Sequence, residues 1–131
     1  MAERSVNVPA MNEDLIYTIV RRADWVQAER SGQYDGSADD RRDGFLHFSS
    51  PAQVVESCAR HRAGEDDLLL VAVPAAALGA ALKWEPSRGG ALFPHLYAPL
   101  PTDKVAWVLP LPLGADGRHV FPAAFQEGKG S

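Results

Sequence analysis

The sequence predicts one α+β domain with about five to six short strands and two short helices. Short runs of β-branched and aromatic residues alternate with turn residues, a pattern typical of strands. Two other segments carry the start and stop signals of helices. A chain of 131 residues is long enough to enclose a single hydrophobic core. We predict a flexible N-terminal arm at residues 1–13, the domain at 14–113, and an extended or disordered C-terminal tail at 114–131.

The composition is that of a soluble globular protein, with 46% hydrophobic and 23% charged residues. The net charge is −4 and no Lys/Arg cluster occurs, which argues against duplex DNA as a partner. The longest apolar run, Leu68–Leu82, contains Pro74 and Gly79, and the N-terminus has no apolar signal segment. We therefore expect a bacterial, cytoplasmic protein without a membrane partner. A lone cysteine, Cys58, excludes an internal disulfide.

The first third of the chain predicts a strand, a helix and a charged loop. Leu15–Val20 is apolar on both faces, which favours a central strand. Asp24–Arg30 predicts a short helix, because an acid lies in its first turn and Gly32 follows its end. Residues 33–43 are polar and predict a solvated loop, which could also act as a lid over a site.

The segment Gly44–Phe48 predicts a second strand that presents two polar side chains. Side chains alternate between the faces of a strand, so Leu46 and Phe48 are expected in the core. His47 and Ser49 then share the opposite face. This face is a candidate for one wall of a ligand site.

A helix is predicted directly after this strand. Ser50, Pro51 and Gln53 occupy the N-cap, N1 and N3 positions of a capping box, and the helix is expected to continue to about Arg62. Gly64 supplies the stop. The N-terminus of such a helix favours an anion.

The rest of the domain is predicted to be mainly strand. Pro74–Gly79 predicts one helical turn, because proline opens it and glycine ends it. The predicted strands are Leu68–Val73, Ala81–Glu85, Phe93–Tyr97 and Lys104–Leu109.

The stretch Trp84–Tyr97 concentrates ionisable and aromatic side chains around Gly89 and Gly90. Paired glycines allow a backbone to approach a ligand closely. We expect this stretch to face the His47 segment across a small cleft. The candidate catalytic residues are His47, Glu85 and His95, and the candidate ligand-binding residues are Ser49, Trp84, Arg88 and Tyr97.

Other chemistries are less well matched by these residues. His47, His95 and Glu85 have the side chains of a zinc site, but no histidine pair has the i, i+4 spacing of a helical metal motif. We therefore predict no metal. No Gly-x-Ser-x-Gly motif supports a serine nucleophile. Glu85 and Arg88 could instead form an ion pair that only stabilises the glycine loop.

Several strings resemble the bacterial family called domain of unknown function 952. They are Ile16-Tyr17, Asp43–Ser49, Trp84–Gly90 and Phe93–Tyr97, and the resemblance extends over roughly Ile16–Leu111. Members of that family resemble the ADP-ribosyltransferase fold, a split β-sheet with a cleft that holds NAD. The resemblance therefore implies an ADP-ribosyltransferase-like split sheet in this chain.

The resemblance also implies roles for the candidate residues. Glu85 would hold a ribose hydroxyl, Arg88 a phosphate, and Trp84 or Tyr97 would stack on a base. His47 would assist with a proton or a phosphate hydrogen bond. The expected ligand is a small anionic molecule such as NAD, ADP-ribose or another phosphorylated nucleotide. The expected reaction is glycosyl or ADP-ribosyl transfer through an oxocarbenium-like transition state.

Two further features bear on this expectation. His47-Phe48-Ser49 is similar to a His-Leu-Ser segment of the RNA 2′-phosphotransferases, which use NAD. Thr18 departs from the pattern, because related transferases often carry histidine or arginine there. One alternative is therefore a non-catalytic ligand-binding or protein-interaction module. Another is a structural polar network of Glu85, Arg88 and His95.

Overall fold

A computed structural model describes residues 15–123 and 125, except for the side chain of Arg88. Within these residues the fold is mixed α+β with several antiparallel strands, as the sequence predicts, but it has three α-helices rather than the predicted two. The arm predicted for residues 1–13, together with residues 124 and 126–131 of the predicted tail, lies outside the described residues. No helix among the described residues is long and apolar enough to cross a membrane.

The elements are short and are joined by tight turns. The helices are α1 (Arg22–Ser31), α2 (Ala38–Asp43) and α3 (Pro51–His61). The strands are β1 (Leu15–Arg21), β2 (Gln33–Tyr34), β3 (Leu46–His47), β4 (Leu68–Pro74), β5 (Leu82–Pro86), β6 (Leu92–Leu96), β7 (Leu100–Pro101) and β8 (Trp107–Leu111).

The first sheet has the order β1-β4-β8 and is antiparallel throughout. Strand β4 is its centre, and its first six residues are all buried, as a continuous apolar run predicts. Tyr17 of β1 and Trp107 of β8 flank Ala72 of β4 in register. The sheet therefore supplies two apolar faces on which the helices and the remaining strands pack.

The second sheet has the order β3-β6-β5, and a small β2-β7 pair lies apart from it. The two larger sheets meet at one bridge, where Tyr17 and Ser49 exchange backbone hydrogen bonds of 2.9 and 2.8 Å. Beyond the bridge the hydroxyl of Thr18 donates to the carbonyl oxygen of His47 at 3.1 Å. The Thr18 side chain makes this bond where a continuous ladder would have a backbone hydrogen bond, and β1 and β3 separate from this point.

Two apolar clusters cover the two faces of the first sheet. Trp25 of α1 belongs to one cluster, which also contains the predicted core residues Leu46 and Phe48. Val54 and Cys58 of α3 belong to the other cluster. Cys58 is buried, as predicted, and burial raises the pKa of its thiol to about 11, so the thiol stays protonated at neutral pH.

The charged loop predicted at residues 33–43 is wrong in part, because β2 and α2 lie within it. The amide of Asp40 donates to the Ser37 hydroxyl at 3.2 Å, and the amide of Ser37 donates to the Asp40 carboxylate at 2.8 Å. These reciprocal bonds form a capping box at the start of α2. The Ser-x-x-Asp spacing that encodes it is visible in the sequence.

Two further boundaries differ from the prediction. The last strand is β8 at Trp107–Leu111 rather than Lys104–Leu109, because Thr102–Lys104 forms a 3-10 turn. The helical turn expected from Pro74 is a 3-10 segment at Ala75–Ala81. Both replacements use the tighter backbone that is common in short connections.

The apolar packing continues beyond residue 113. Phe121 and Phe125 are each 6% exposed, and the Phe125 ring meets Tyr17 edge-on at 5.1 Å between centroids. Apolar side chains of this size are favoured inside. The described part of the C-terminal segment therefore covers one face of the first sheet.

Candidate functional site

A cleft opens where β1 and β3 separate. Its volume is about 610 Å³, which is within the range of small-molecule sites. Polar residues of α2 and α3 form two of its walls, and the turn Ser87–Ala91 contributes a third. The cleft therefore brings together the two segments that the sequence analysis singled out.

The predicted site residues do not all line this cleft. Those that line it are His47, Ser49 and His95. The described structure does not cover the side chain of Arg88, although Ser87 and Gly89 beside it line the cleft. The predicted residues outside the lining are Trp84, Glu85 and Tyr97.

His47 lines the cleft and lies between two carboxylates. Its Nδ1 is 2.6 Å from Asp40 Oδ1, and its Nε2 is 3.0 Å from Asp43 Oδ2. The side chain is 40% exposed, so a ligand can reach it. The two carboxylates hold the imidazole with a hydrogen bond at each ring nitrogen.

Asp40 is the buried partner, with a side chain that is 8% exposed. Besides the His47 ring, its carboxylate accepts the backbone N–H groups of Ser37 and His47 at 2.8 and 3.1 Å. Burial alone would raise the pKa of Asp40, but the hydrogen bonds from His47 and Ser37 outweigh it and hold the pKa below its usual range. The role of Asp40 depends on burial, which the sequence pattern does not indicate.

The same contacts favour the charged form of His47. The hydrogen bond to Asp40 raises the pKa of His47 above its ordinary value, against the lowering effect of burial, and Asp43 raises it further. Both ring nitrogens then donate to carboxylates. His47 is therefore a fixed cation within the cleft over more of the neutral pH range than a free histidine.

His95 has a carboxylate partner of its own. Its Nδ1 is 2.7 Å from Glu85 Oε1, and the hydroxyl of Tyr97 donates to the same oxygen at 2.7 Å. The hydrogen bonds from His95 and then Tyr97 lower the pKa of Glu85, and the bond to Glu85 raises the pKa of Tyr97. Glu85 is therefore a carboxylate at neutral pH and serves as a hydrogen-bond acceptor.

Strand register brings the two histidines together. His47 of β3 is directly opposite His95 of β6. In the next pair the N–H of Phe48 donates to the carbonyl oxygen of Pro94, so Phe48 and Pro94 are a hydrogen-bonded pair and the two histidines are not. Side chains of a non-hydrogen-bonded pair approach most closely. The two rings are 5.6 Å apart between centroids and meet edge to face.

Phe45 supports both imidazoles. Its ring stacks on His95 at 4.1 Å with an interplanar angle of 25°. It also contacts the rings of His47 at 4.7 Å and Tyr97 at 5.2 Å. Phe45 was not selected from the sequence, although its alternation with His47 already put it on the same strand face.

The glycine turn has the backbone that its sequence requires. Gly89 and Gly90 have φ angles of +77° and +85°, which side chains other than glycine rarely adopt. The amide of Ser87 donates to the carbonyl of Ala91 at 2.9 Å and closes the turn. No Cβ added at either glycine would meet another atom within 4 Å, so this turn leaves open space beside the cleft.

Trp84 lies on the other face of the second sheet from the histidines. It pairs with Pro94, whereas Glu85 pairs with Phe93 on the face that carries His95. Trp84 is 46% exposed, and Leu92 near it is 50% exposed. The base-stacking contact predicted for Trp84 would therefore have to form outside the histidine face.

Ser49 and Thr18 are both mostly buried, with exposures of 8% and 7%. The Ser49 hydroxyl contacts that of Ser57 on α3 at 3.3 Å. Thr18 bonds the backbone of His47, so a polar side chain at this position fixes the histidine strand. Both residues line the cleft between β1 and α3.

The charged residues around the cleft are largely paired with one another. Arg42 contacts Asp39 at 2.9 Å, and Arg60 contacts Glu56 at 3.0 Å. Among the described residues, no group of three or more His, Cys, Asp or Glu side chains has the arrangement of a metal site. The cleft is thus lined by polar groups and by ion pairs that are exposed to solvent.

Comparisons with known proteins identify a family and close structural relatives. The family model described as "Protein of unknown function (DUF952)" matches residues 19–108. The crystal structure of protein CC0527 from Caulobacter crescentus, a structural genomics target, is 46% identical with a TM-score of 0.81, over 86% of this chain and 98% of that one. Its solution NMR structure is 46% identical with a TM-score of 0.75, over 87% and 96%. No curated protein matches this chain.

Proposed function

The chain belongs to the DUF952 family of proteins of unknown function, and we propose that its cleft binds a small phosphorylated nucleotide. NAD and ADP-ribose are the candidate ligands, and glycosyl or ADP-ribosyl transfer is the candidate reaction. The observation that carries the proposal is the position of His47 in the cleft, where one ring nitrogen contacts Asp40 at 2.6 Å and the other contacts Asp43 at 3.0 Å.

The geometry of His47 supports recognition of an anion. Asp40 is buried and fixes Nδ1, whereas the Asp43 side chain is 36% exposed and contacts Nε2 at 3.0 Å. A phosphate oxygen is a strong acceptor for a charged imidazole N–H. A bound phosphate would replace Asp43 at Nε2, while Asp40 would keep the ring in place.

Other groups around the cleft fit the rest of a nucleotide. The turn at Gly89 and Gly90 permits close approach of a phosphate or a sugar to the backbone. Ser49 supplies a hydroxyl, and Phe93 supplies an aromatic ring in the lining. Arg88, in the same turn, remains the proposed second phosphate contact. A volume of about 610 Å³ is adequate for such a ligand.

The sheet arrangement also supports the proposal. Two three-stranded sheets joined at the Tyr17–Ser49 bridge form a split sheet with a cleft at the split. We propose that it is an ADP-ribosyltransferase-like split sheet, whose cleft would hold NAD. The proposal assigns Thr18 to the support of His47 rather than to the ligand.

A second candidate function is a non-catalytic module in which the same polar groups are structural. Three hydrogen bonds from Ser37 and His47 converge on Asp40, and two from His95 and Tyr97 converge on Glu85. Networks satisfied entirely within the chain also rigidify a fold. If substitution of His47 does not change ligand affinity, these networks favour the non-catalytic alternative.

Isothermal titration calorimetry with NAD, ADP-ribose and AMP tests the proposal. We expect saturable binding that weakens about tenfold or more in His47→Gln, because a charge-assisted hydrogen bond contributes about 1.5–3 kcal/mol. Binding should also weaken as pH rises through the raised pKa of His47. His119→Gln is the control, since His119 does not line the cleft.

Two results would contradict the proposal. If none of the three ligands gives heat, the cleft does not bind these nucleotides. Equal affinity of the wild type and His47→Gln would remove the role of His47 and favour the structural alternative.

A further inference from the structure

The carboxylate of Glu85 has a specific partner that changes its expected role. Glu85 does not line the cleft, whereas His95, to which it bonds at 2.7 Å, does. Tyr97 donates to the same Oε1 atom and fixes the carboxylate from the other side. Glu85 therefore lies behind His95 as seen from the cleft.

The protonation of the His95 ring follows from this contact. The bonds from His95 and Tyr97 lower the pKa of Glu85, so Glu85 is an ionised carboxylate at neutral pH and accepts hydrogen bonds only. Nδ1 of His95 must then carry the hydrogen. When His95 is neutral, its lone pair is on Nε2, and no side chain or backbone group among the described residues bonds that atom.

His47 is arranged for the opposite role. Both of its ring nitrogens contact carboxylates, which favours the ring that carries a hydrogen on each nitrogen. That form has no lone pair to accept a proton. The register pairs this cation with a ring that presents an acceptor, at a centroid distance of 5.6 Å. Sites in which two titratable groups have different environments commonly divide acid and base roles between them.

The His95 ring is also held rigidly. Phe45 stacks on it at 4.1 Å, and the His95 side chain is only 7% exposed. Packing on one face and a carboxylate on the ring edge restrict rotation of the imidazole. A general base needs this fixed orientation toward the group that it deprotonates.

We propose that His95 is the general base of the cleft and activates an oxygen nucleophile, water or a substrate hydroxyl, with Glu85 as its positioning residue. The proposal rests on the function proposed above and defines the acceptor as an O–H group. Nε2 of His95 takes the proton while the nucleophile oxygen bonds the anomeric carbon of the donor. The C–N glycosidic bond breaks, and its electron pair leaves with the departing heterocycle, which for NAD is neutral nicotinamide. The proton on His95 then passes to solvent.

Nicotinamide release from NAD by the full chain tests the catalytic role. We expect His95→Gln to lower kcat by about 10²–10⁴-fold with KM unchanged, because proton transfer is lost and binding is not. Glu85→Gln should lower kcat by about 10²-fold or more, since an amide no longer fixes the tautomer of His95. Asp103→Asn, an exposed acid outside the cleft, is the control for removing a carboxylate.

A second measurement does not depend on turnover. Nitrogen-15 NMR of the wild-type imidazoles distinguishes the two tautomers, and we expect neutral His95 to carry its hydrogen on Nδ1. Loss of that preference in Glu85→Gln would support the positioning role. A hydrogen on Nε2 in the wild type would overturn the proposal.

The outcomes separate this proposal from the one on ligand binding. NAD binding by calorimetry without nicotinamide release, or turnover by His95→Gln at the wild-type rate, overturns the base assignment and leaves the ligand proposal standing. The absence of NAD binding alone overturns the base assignment, and the absence of binding by NAD, ADP-ribose and AMP overturns both proposals. Turnover that depends on His95 and Glu85 as described supports both.

Discussion

At the scale of single residues, two histidines on adjacent strands differ because their carboxylate partners differ. Asp40 and Asp43 engage both ring nitrogens of His47, whereas Glu85 engages only Nδ1 of His95. The first arrangement favours a cation, and the second leaves Nε2 of His95 without a carboxylate partner. Identical side chains at a cross-strand pair thus have different chemistry.

The paired charges of His47 and Asp40 predict a pH-dependent stability. The folded-state pKa of His47 is raised above its ordinary value of 6.5, so its stabilising contribution is fully present below that value and is lost as pH rises through the raised pKa. The pKa of Asp40 is lowered, so its contribution is lost only in strong acid. We expect the difference in melting temperature between wild type and His47→Gln to be largest at mildly acidic pH.

Thermal unfolding between about pH 5 and pH 9 measures this difference. The difference should shrink steadily toward the alkaline end. A constant difference over the whole range would mean that the His47 charge contributes nothing to stability.

At the scale of elements, Gly36, which precedes α2, packs closely against Asp40 of α2 and Leu46 of β3. This glycine has a φ angle of +105°, and a Cβ there would lie 2.6 Å from Leu46 Cδ2 and 2.7 Å from Asp40 Cβ. Gly32 has a φ angle of +94°, and a Cβ added there would meet no other atom within 4 Å. The two positions therefore differ in steric contact but not in backbone strain.

The variants Gly36→Ala and Gly32→Ala separate these two effects. Backbone strain at each costs about 1–3 kcal/mol. Gly36→Ala should lose more free energy of unfolding, because it also displaces Asp40 and Leu46. Urea denaturation measures both, and an equal loss in the two variants would contradict the packing assigned to Gly36.

The elements that the sequence predicts well are those whose signals are local. Strand β4 follows from a continuous apolar run, and α3 begins at the predicted Ser50-Pro51, where the Gln53 side chain accepts the Ser50 N–H at 2.9 Å. Helix α2 is short and polar, so hydrophobic periodicity does not indicate it. Its Ser37-x-x-Asp40 capping pattern is local and would have identified it.

The pairing within the site is not local and could not be predicted in the same way. His47 and His95 were each selected from strand alternation, but their opposition depends on the β3–β6 register. The bond between Glu85 and His95 depends on the β5–β6 register, which the sequence does not indicate. Glu85 was therefore assigned to a ribose hydroxyl instead. Asp40 was not selected because its burial results from packing of α2 against β3. Residue types therefore indicated the site, and tertiary register determined the partners.

At the scale of the whole molecule, one bridge marks where the cleft opens between the two larger sheets. The Tyr17–Ser49 bridge joins the two larger sheets, and the Thr18–His47 bond lies beside it. The apolar faces of the first sheet are covered by α1, α3 and the segment that carries Phe121. The opening between β1 and β3 is thus bordered by rigid strands, which suits a preformed site.

The central claim is that this opening binds a phosphorylated nucleotide, and NMR titration of the nitrogen-15-labelled chain with ADP-ribose tests it most directly. The backbone amides of Thr18, Ser49 and Gly89 and the imidazoles of His47 and His95 should shift in a saturable manner. Residues on the opposite sheet face, such as Trp84, should shift least. No saturable shift at these five residues, or shifts confined to the Trp84 face, would contradict the account.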